Sequence, residues 1–138
     1  MAPLLSDTSK ALLSKPVFAN IATVNDRCEP QLTPVWIDFE GDDILFNTAE
    51  GRTKAVNLRK HPDLAISVVD PADPYNSVLI VRGKAIEITE EGADEHIDAL
   101  AQKYLGRTPY PFRQPGEKRL KVRVRIERVV SEPSPPSS

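Results

Sequence analysis

Short segments in which apolar and polar residues alternate recur along this chain, and they constrain its fold more than any other feature. The clearest lies near the C-terminus, where Val122, Val124 and Ile126 alternate with charged residues. A period of two places successive side chains on opposite faces of a strand, so each such segment is predicted to be a strand. Six strands are predicted in all, at residues 17–24, 31–39, 44–48, 64–69, 78–88 and 122–127.

Three other segments have the features of helices. They are predicted at residues 7–14 and 52–60, and from about Thr89 to Tyr104. Because the strands are mostly consecutive, we predict a mainly β fold, an antiparallel β-barrel with peripheral helices, rather than alternating βα units. Residues 1–130 are predicted to form one domain, and the Pro- and Ser-rich residues 131–138 a disordered tail.

Pro34 and Gly83 mark irregular positions within two of the predicted strands. A proline cannot donate a hydrogen bond to a sheet, so the second strand is expected to have an edge or a bulge at Pro34. Such a site leaves backbone groups free to meet a ligand. Gly83 indicates a bend or bulge in the fifth strand.

The residues that most often carry catalysis or bind metal are scarce. Cys28 is the only cysteine, which excludes an intrachain disulfide and a zinc site built from cysteines. His61 and His96 stand in no metal-binding motif, and both are expected at the surface. No glycine-rich phosphate loop or serine nucleophile motif is present, so we expect no metal and no side-chain nucleophile. An enzyme with this sequence would depend on a redox cofactor.

The charges are unevenly distributed although the net charge is only −2. Nine lysines and arginines lie between Lys103 and Arg128, whereas residues 87–98 contain six acids and no basic residue. A local basic surface on a mildly acidic protein favours a small polyanionic ligand over nucleic acid. No apolar segment approaches the roughly 20 residues that span a bilayer, and the first seven residues do not resemble a secretory signal. We therefore expect a cytoplasmic protein without a membrane partner.

Arg52 and Lys54 form the most informative local feature, because they lie in the first turn of a predicted helix. Cations are unfavourable at a helix N-terminus, where the dipole prefers acids. A bound phosphate would reverse this penalty by accepting hydrogen bonds from the free N–H groups and pairing with both side chains. Thr53 adds a hydroxyl at the same place. The alternative is that both cations simply extend into water.

Five segments carry a resemblance to a known family, and they occur in its order and spacing. They are Pro30–Trp36, Gly51–Pro62, Val81–Ala85, Tyr104–Tyr110 and Val124–Val129. Together they resemble the pyridoxamine 5′-phosphate oxidase-like superfamily, and within it the F420-dependent flavin/deazaflavin oxidoreductase B branch. The similarity extends from about Leu12 to Val130. It does not include the full basic and histidine set that would hold a second, substrate phosphate.

The resemblance implies a split β-barrel of the FMN-binding type that forms a homodimer, with two cofactor sites at the subunit interface. Arg52 and Lys54 would hold the coenzyme phosphate, assisted by Thr53, and Asn57 would support the same helix. The residues expected to line the ring system are Gln31, Leu32, Thr33, Pro34 and Val35. Those expected to form the neighbouring wall are Phe46, Asn47 and Thr48, with core packing as an equal alternative for Phe46.

By the same resemblance the coenzyme is F420, with FMN as the alternative. The basic residues from Arg107 to Arg125 offer a groove for the carboxylate-rich tail of F420. Reduced F420 would pass a hydride to a small organic acceptor, with Tyr75 or Tyr110 as candidate proton donors. Two other functions stay open: a non-catalytic carrier of F420, FMN or a tetrapyrrole-like ligand, and a nucleic-acid binder using Lys118–Arg125. The latter lacks the exposed aromatics of a stacking surface.

Overall fold

The computed structural model describes residues 4–134, which contain all six predicted strands and all three predicted helices. Their bounds are α1 Asp7–Leu13, β1 Phe18–Val24, β2 Pro30–Glu40, β3 Asp43–Ala49, α2 Thr53–Lys60, β4 Asp63–Val69, β5 Val78–Thr89, α3 Ala93–Leu105 and β6 Arg119–Ser131. The strands pair in the order β1-β2-β3-β6-β5-β4 and close into a barrel in which every pairing is antiparallel. The predicted fold class, a mainly β split barrel, is confirmed.

The interior of the barrel is filled by the apolar residues that alternate along the strands. Ile21, Ile37, Phe46, Ile66 and Val124 come from five different strands and are all buried in one hydrophobic cluster. Each large apolar side chain buried in this way contributes about 1.5–3 kcal/mol to folding. The alternation read from the sequence is therefore what closes the barrel around a single core.

The strand β2 has a free edge along its first half. It pairs with β1 from Pro30 to Trp36, but with β3 only from Ile37 to Glu40. Pro34 lies opposite Asn20 in the paired half and faces no strand on its other side. The predicted edge at Pro34 is therefore confirmed, and a run of backbone groups on β2 stays open to a ligand.

The strand β5 is irregular at Gly83, as predicted. Its register with β6 shifts between Arg82 and Gly83. A Cβ atom at this position would lie 2.4 Å from the carbonyl oxygen of Arg125, closer than any side chain tolerates. Only glycine allows the two backbones to approach so closely here.

Two boundaries differ from the sequence-based prediction. α3 begins at Ala93 rather than near Thr89, because Thr89 still pairs with Lys121 in the sheet and the chain turns through Gly92 at a positive φ of 72°. At the other end, β6 reaches Ser131, Pro133 is buried, and the Ser134 N–H donates to the Asn76 carbonyl. The ordered domain thus extends a few residues past the predicted boundary at 130, and residues 135–138 of the predicted tail lie outside the described residues.

Between Leu4 and Ser134, no helix is both long and apolar enough to cross a membrane. The same stretch contains no group of three or more His, Cys, Asp or Glu side chains placed to hold a metal ion.

Candidate functional site

A pocket of about 190 Å³ opens beside the free edge of β2. It collects residues from β2, β3, the start of α2, α3 and the start of β6. Seven of the residues predicted from the sequence line it: Pro34, Val35, Asn47, Thr48, Arg52, Lys54 and Tyr110. Segments up to 76 positions apart in the sequence, from Pro34 to Tyr110, therefore meet at one place.

One side of the pocket is basic, and Lys54 is its central residue. Only 8% of Lys54 is exposed, and its ammonium group makes no ion pair with any residue from 4 to 134. Burial lowers the pKa of Lys54 below its ordinary value, and the neighbouring charges of Arg52 and Arg119 lower it further. A buried cation next to two other cations is costly unless an anion joins them.

The start of α2 adds further capacity to bind an anion. Arg52 is the N-cap residue, and no side chain caps the helix. The first N–H groups of a helix have no partner within it, and the helix dipole places partial positive charge there. The basic corner, which we define as Arg52 and Lys54, therefore combines two cations with free backbone donors.

Arg119 is a third cation in the pocket, and no local sequence pattern distinguishes it. Its side chain is buried, its Nη1 lies 2.8 Å from Glu117 Oε1, and its guanidinium stands over the Tyr110 ring, 5.2 Å from the centroid. In the sequence it is one of nine basic residues in the C-terminal part. Only the pairing of β3 with β6, which sets Ala49 opposite Arg119, brings it to the pocket.

The histidine His96 is buried beside the pocket, so the expectation of a surface position was wrong. Its Nδ1 lies 3.1 Å from Asn47 Nδ2, and its Nε2 lies 3.4 Å from Asp38 Oδ2. Burial acts to raise the pKa of Asp38, but the neighbouring His96 ring and a hydrogen bond from the Phe39 N–H outweigh it and hold the pKa below its ordinary value. His61, by contrast, is partly exposed and pairs with Asp26.

Aromatic side chains also line the pocket. The Trp36 and Tyr104 rings stack at 5.1 Å and 12°, and the Tyr110 ring meets Trp36 edge-on at 5.9 Å. The Tyr104 hydroxyl fixes this stack, because it accepts from the Ile37 N–H and donates to the Val17 carbonyl. The pocket thus combines aromatic side chains with basic ones, the two kinds of contact that a ring bearing a phosphate requires.

Six of the predicted cofactor-binding residues do not line this pocket. Phe46 is fully buried in the barrel core, so its alternative role in packing is the one that the structure supports. Gln31 accepts a hydrogen bond from Thr23, Leu32 is exposed on the outer face of β2, and the Thr33 hydroxyl is buried without a partner. Thr53 is exposed on α2.

The sixth, Asn57, has the supporting position that the resemblance implies. Its Nδ2 donates to Thr23 Oγ1 at 3.1 Å and so joins α2 to β1. Of the two candidate proton donors, Tyr110 borders the pocket. Tyr75 is 95% exposed in the loop between β4 and β5 and does not line the pocket.

Comparisons with known proteins agree with this fold. The profile of the pyridoxamine 5′-phosphate oxidase family matches residues 5–131. The structure of an F420 reductase superposes with a TM-score of 0.76 at 29% identity, covering 87% of this chain and 94% of that one. The conserved hypothetical protein Rv2991 from Mycobacterium tuberculosis superposes with a TM-score of 0.69 at 25% identity, covering 92% and 84%.

A third structure, HupZ from Group A Streptococcus, has a TM-score of 0.68 at 22% identity over 96% of this chain and all of that one, which shows the shared fold alone. A search of curated proteins gives no significant match. The family profile covers most of the chain, and the barrel topology and the solved structures agree with it. This chain therefore belongs to the pyridoxamine 5′-phosphate oxidase family.

Proposed function

We propose that this protein is an oxidoreductase that binds F420 in the pocket beside β2 and transfers a hydride between the coenzyme and a small organic acceptor. The observation that carries the proposal is the Lys54 side chain, which is largely buried, has no counter-ion in the described part of the chain and lies beside Arg52 and Arg119. Flavin binding is general to the fold. The 29% identity to an F420 reductase supports F420 in particular.

The basic corner fits the phosphate of such a coenzyme. An anion bound there would neutralise Lys54 and Arg52 and accept hydrogen bonds from the first N–H groups of α2. Hydrogen bonds to charged groups contribute about 1.5–3 kcal/mol each. The same contacts would remove the cost of keeping Lys54 and Arg52, which have no ion pair among residues 4–134, beside Arg119.

The free edge of β2 fits the ring system. Backbone groups of residues 31–35 would read the polar rim of the heterocycle, while Trp36 and Tyr110 would supply the aromatic contacts. When bound, the coenzyme supplies the hydride chemistry. The chain's own contribution is to orient the ring, exclude water from its face and, at the Tyr110 hydroxyl, offer a proton to the product.

The homodimer is part of this proposal, because one chain provides too small a pocket. Ligand pockets usually enclose about 300–1,000 Å³, whereas this one has about 190 Å³. Phe18 and Leu32 are well exposed on the outer face of β1 and β2, and Phe18 also borders the pocket. A second copy packed on this face would bury them and enlarge the site. Light scattering of the wild type and of Leu32→Asp would test this, with a monomeric wild type contradicting it.

Titration of the purified protein with F420 and with FMN, followed by fluorescence, tests the coenzyme. We expect saturable binding with F420 bound more tightly, whereas tighter binding of FMN would point to an FMN-dependent oxidoreductase.

Stopped-flow oxidation of bound reduced F420 by a panel of alkene and enone acceptors tests the activity. If bound reduced F420 is oxidised by no acceptor other than oxygen, the protein is a carrier. Failure to bind either coenzyme would contradict the proposal.

A further inference from the structure

Asn47 connects the pocket to a buried histidine. Its Oδ1 accepts a hydrogen bond from Arg119 Nε at 2.8 Å, and both residues line the pocket. Its Nδ2 faces the Ala93 carbonyl at 2.9 Å and His96 Nδ1 at 3.1 Å. A chain of hydrogen bonds therefore extends from the guanidinium of Arg119 through Asn47 to His96.

The chemistry of its neighbours allows the Asn47 amide only one orientation. A guanidinium N–H can only donate, so the atom facing Arg119 is the amide oxygen. A backbone carbonyl can only accept, so the atom facing Ala93 is the amide nitrogen. Rotating the amide by 180° would break both bonds and bring two donors together at Arg119.

This orientation also fixes the protonation of His96. One Asn47 N–H donates to Ala93, and the other points at His96 Nδ1. Nδ1 must then accept and carries no hydrogen, so the imidazole is neutral with its proton on Nε2. Within residues 4–134 Nε2 makes no hydrogen bond, although Asp38 Oδ2 lies 3.4 Å away.

We propose that His96, as the neutral Nε2–H tautomer, is a positioning residue for anion binding. Through Asn47 it holds the Arg119 guanidinium in the pocket, where Arg119 makes a third contact to the coenzyme phosphate beside Arg52 and Lys54. Nη1 of Arg119 pairs with Glu117 and Nε bonds to Asn47, so the contact falls to the remaining N–H groups of the guanidinium. The inference rests on the proposed function, because the phosphate belongs to that coenzyme.

Protonation of His96 would break this chain. A proton on Nδ1 would face an Asn47 N–H, and Asn47 cannot rotate without opposing Arg119. The nearest charged groups are Asp38 on β2, whose Oδ2 lies 3.4 Å from His96 Nε2, and Arg119 on β6, which pairs with Glu117 and reaches His96 through Asn47. Coenzyme affinity should therefore fall in acid as Arg119 is released.

The tautomer can be tested without a ligand. The chain has two histidines, so a His61→Asn variant leaves His96 as the single imidazole. Long-range ¹H–¹⁵N spectra of this variant at neutral pH should show the Nε2–H form. An Nδ1–H form, or an imidazolium, would overturn the inference whatever the coenzyme does.

The positioning role is tested by replacing His96 with residues that keep or lose the acceptor. In His96→Asn the side-chain oxygen takes the place of Nδ1 and can still accept from Asn47. In His96→Gln the amide reaches instead toward the place of Nε2, and His96→Leu has no acceptor. We expect the Asn variant to bind F420 and FMN within about threefold of the wild type, and the Gln and Leu variants about tenfold more weakly.

A pH series adds a second readout. As the solution is made acidic, wild-type affinity should fall more steeply than that of His96→Asn, because only the wild type has an imidazole facing Asn47. Titration of the ligand phosphate is common to both proteins and cancels in the comparison, and His61→Asn should follow the wild type. If His96→Leu does not fold, the difference in coenzyme affinity between His96→Asn and His96→Gln tests the positioning role.

Equal affinities in the wild type and all three variants, or an Asn variant as weak as the Gln variant, would overturn the inference and leave the proposed function intact. A wild type that binds neither F420 nor FMN would instead overturn the proposed function.

Discussion

Two regions of this chain look equally basic in the sequence, but their cations have different surroundings in the fold. In the C-terminal basic stretch, residues 103–128, Arg123 lies 2.7 Å from Glu40 and 3.1 Å from Asp43, and Arg113 pairs with Asp94 at 3.0 Å. In the basic corner, by contrast, neither Arg52 nor Lys54 makes an ion pair with a residue that the structure describes.

The pKa values of two residues express the same contrast. Hydrogen bonds from Arg123 to Glu40 and Asp43 raise the pKa of Arg123, whereas burial and two neighbouring cations lower the pKa of Lys54. A charge that the fold has already paired serves stability, and a buried charge that it has left unpaired points to a ligand. The groove expected along Arg107–Arg125 therefore has fewer cations available for the carboxylate tail of F420. Its residues Arg113, Arg119 and Arg123 all have internal partners.

The largest expected effect comes from removing the basic corner. The double variant Arg52→Ala, Lys54→Ala should lose roughly 100-fold or more in coenzyme affinity, because each cation contributes about 1.5–3 kcal/mol to a bound phosphate. Its barrel should stay folded, since neither side chain supports the core. Fluorescence titration with F420 and FMN measures the loss, and circular dichroism checks the fold.

The matched control is Arg125→Ala, Arg128→Ala, which removes two exposed cations from the C-terminal basic stretch. We expect FMN affinity to be unchanged. An equal loss in both double variants would mean that general electrostatic attraction, rather than a built site, binds the coenzyme. A loss with F420 alone would assign these arginines to its carboxylate tail.

The second prediction concerns the pH dependence of stability at Lys54. Its folded-state pKa lies below the ordinary lysine value of 10.5, so near neutral pH the fold carries the cost of a buried charge. That cost disappears as pH rises from the lowered pKa toward 10.5, where the unfolded chain also loses the proton. Lys54→Met should therefore be more stable than the wild type near neutral pH, by about 1–2 kcal/mol, and this advantage should shrink in alkali.

Urea unfolding of both proteins across this range measures the effect. Arg52→Gln should move the same transition upward in pH, because the Arg52 charge is one cause of the lowered pKa of Lys54. A Met variant that is less stable than the wild type at neutral pH would show that the Lys54 ammonium has an internal partner after all. The basic corner would then resemble the C-terminal basic stretch.

The sequence was sufficient to predict those parts of the fold and of the site that depend on interactions between residues close together in the chain. Alternation predicted the six strands, Pro34 predicted the free edge of β2, and Arg52 and Lys54 lie within one helical turn. Arg119 and His96 were not recognised, because their surroundings depend on contacts with Asn47 across 72 and 49 residues of sequence. No local pattern distinguishes a histidine on an acidic helix that faces water from one that packs against β3.

Contacts between distant parts of the chain also explain why α3 starts later, and the domain ends later, than predicted from the sequence. Thr89 and the acids after it are typical of a helix start, but sheet pairing with Lys121 keeps Thr89 in β5. The Pro- and Ser-rich composition after residue 130 is typical of disorder, yet Thr8 donates to the Pro133 carbonyl and holds it against α1. In both cases a contact distant in sequence overrides a local preference.

The smallest expected effect is the one that most sharply separates the two basic regions. Arg123→Met removes a partly exposed cation from a network with Glu40, Asp43 and, at 3.9 Å, Glu87. Exposed pairs contribute about 0.2–1 kcal/mol each, so unfolding free energy should fall by about 1 kcal/mol while coenzyme affinity stays unchanged. Because salt screens such pairs, the stability difference should also narrow at about 1 M salt. Weaker coenzyme binding in Arg123→Met would mean that a paired cation outside the pocket also contributes to binding. The distinction between paired and unpaired charge would then no longer identify where the ligand binds.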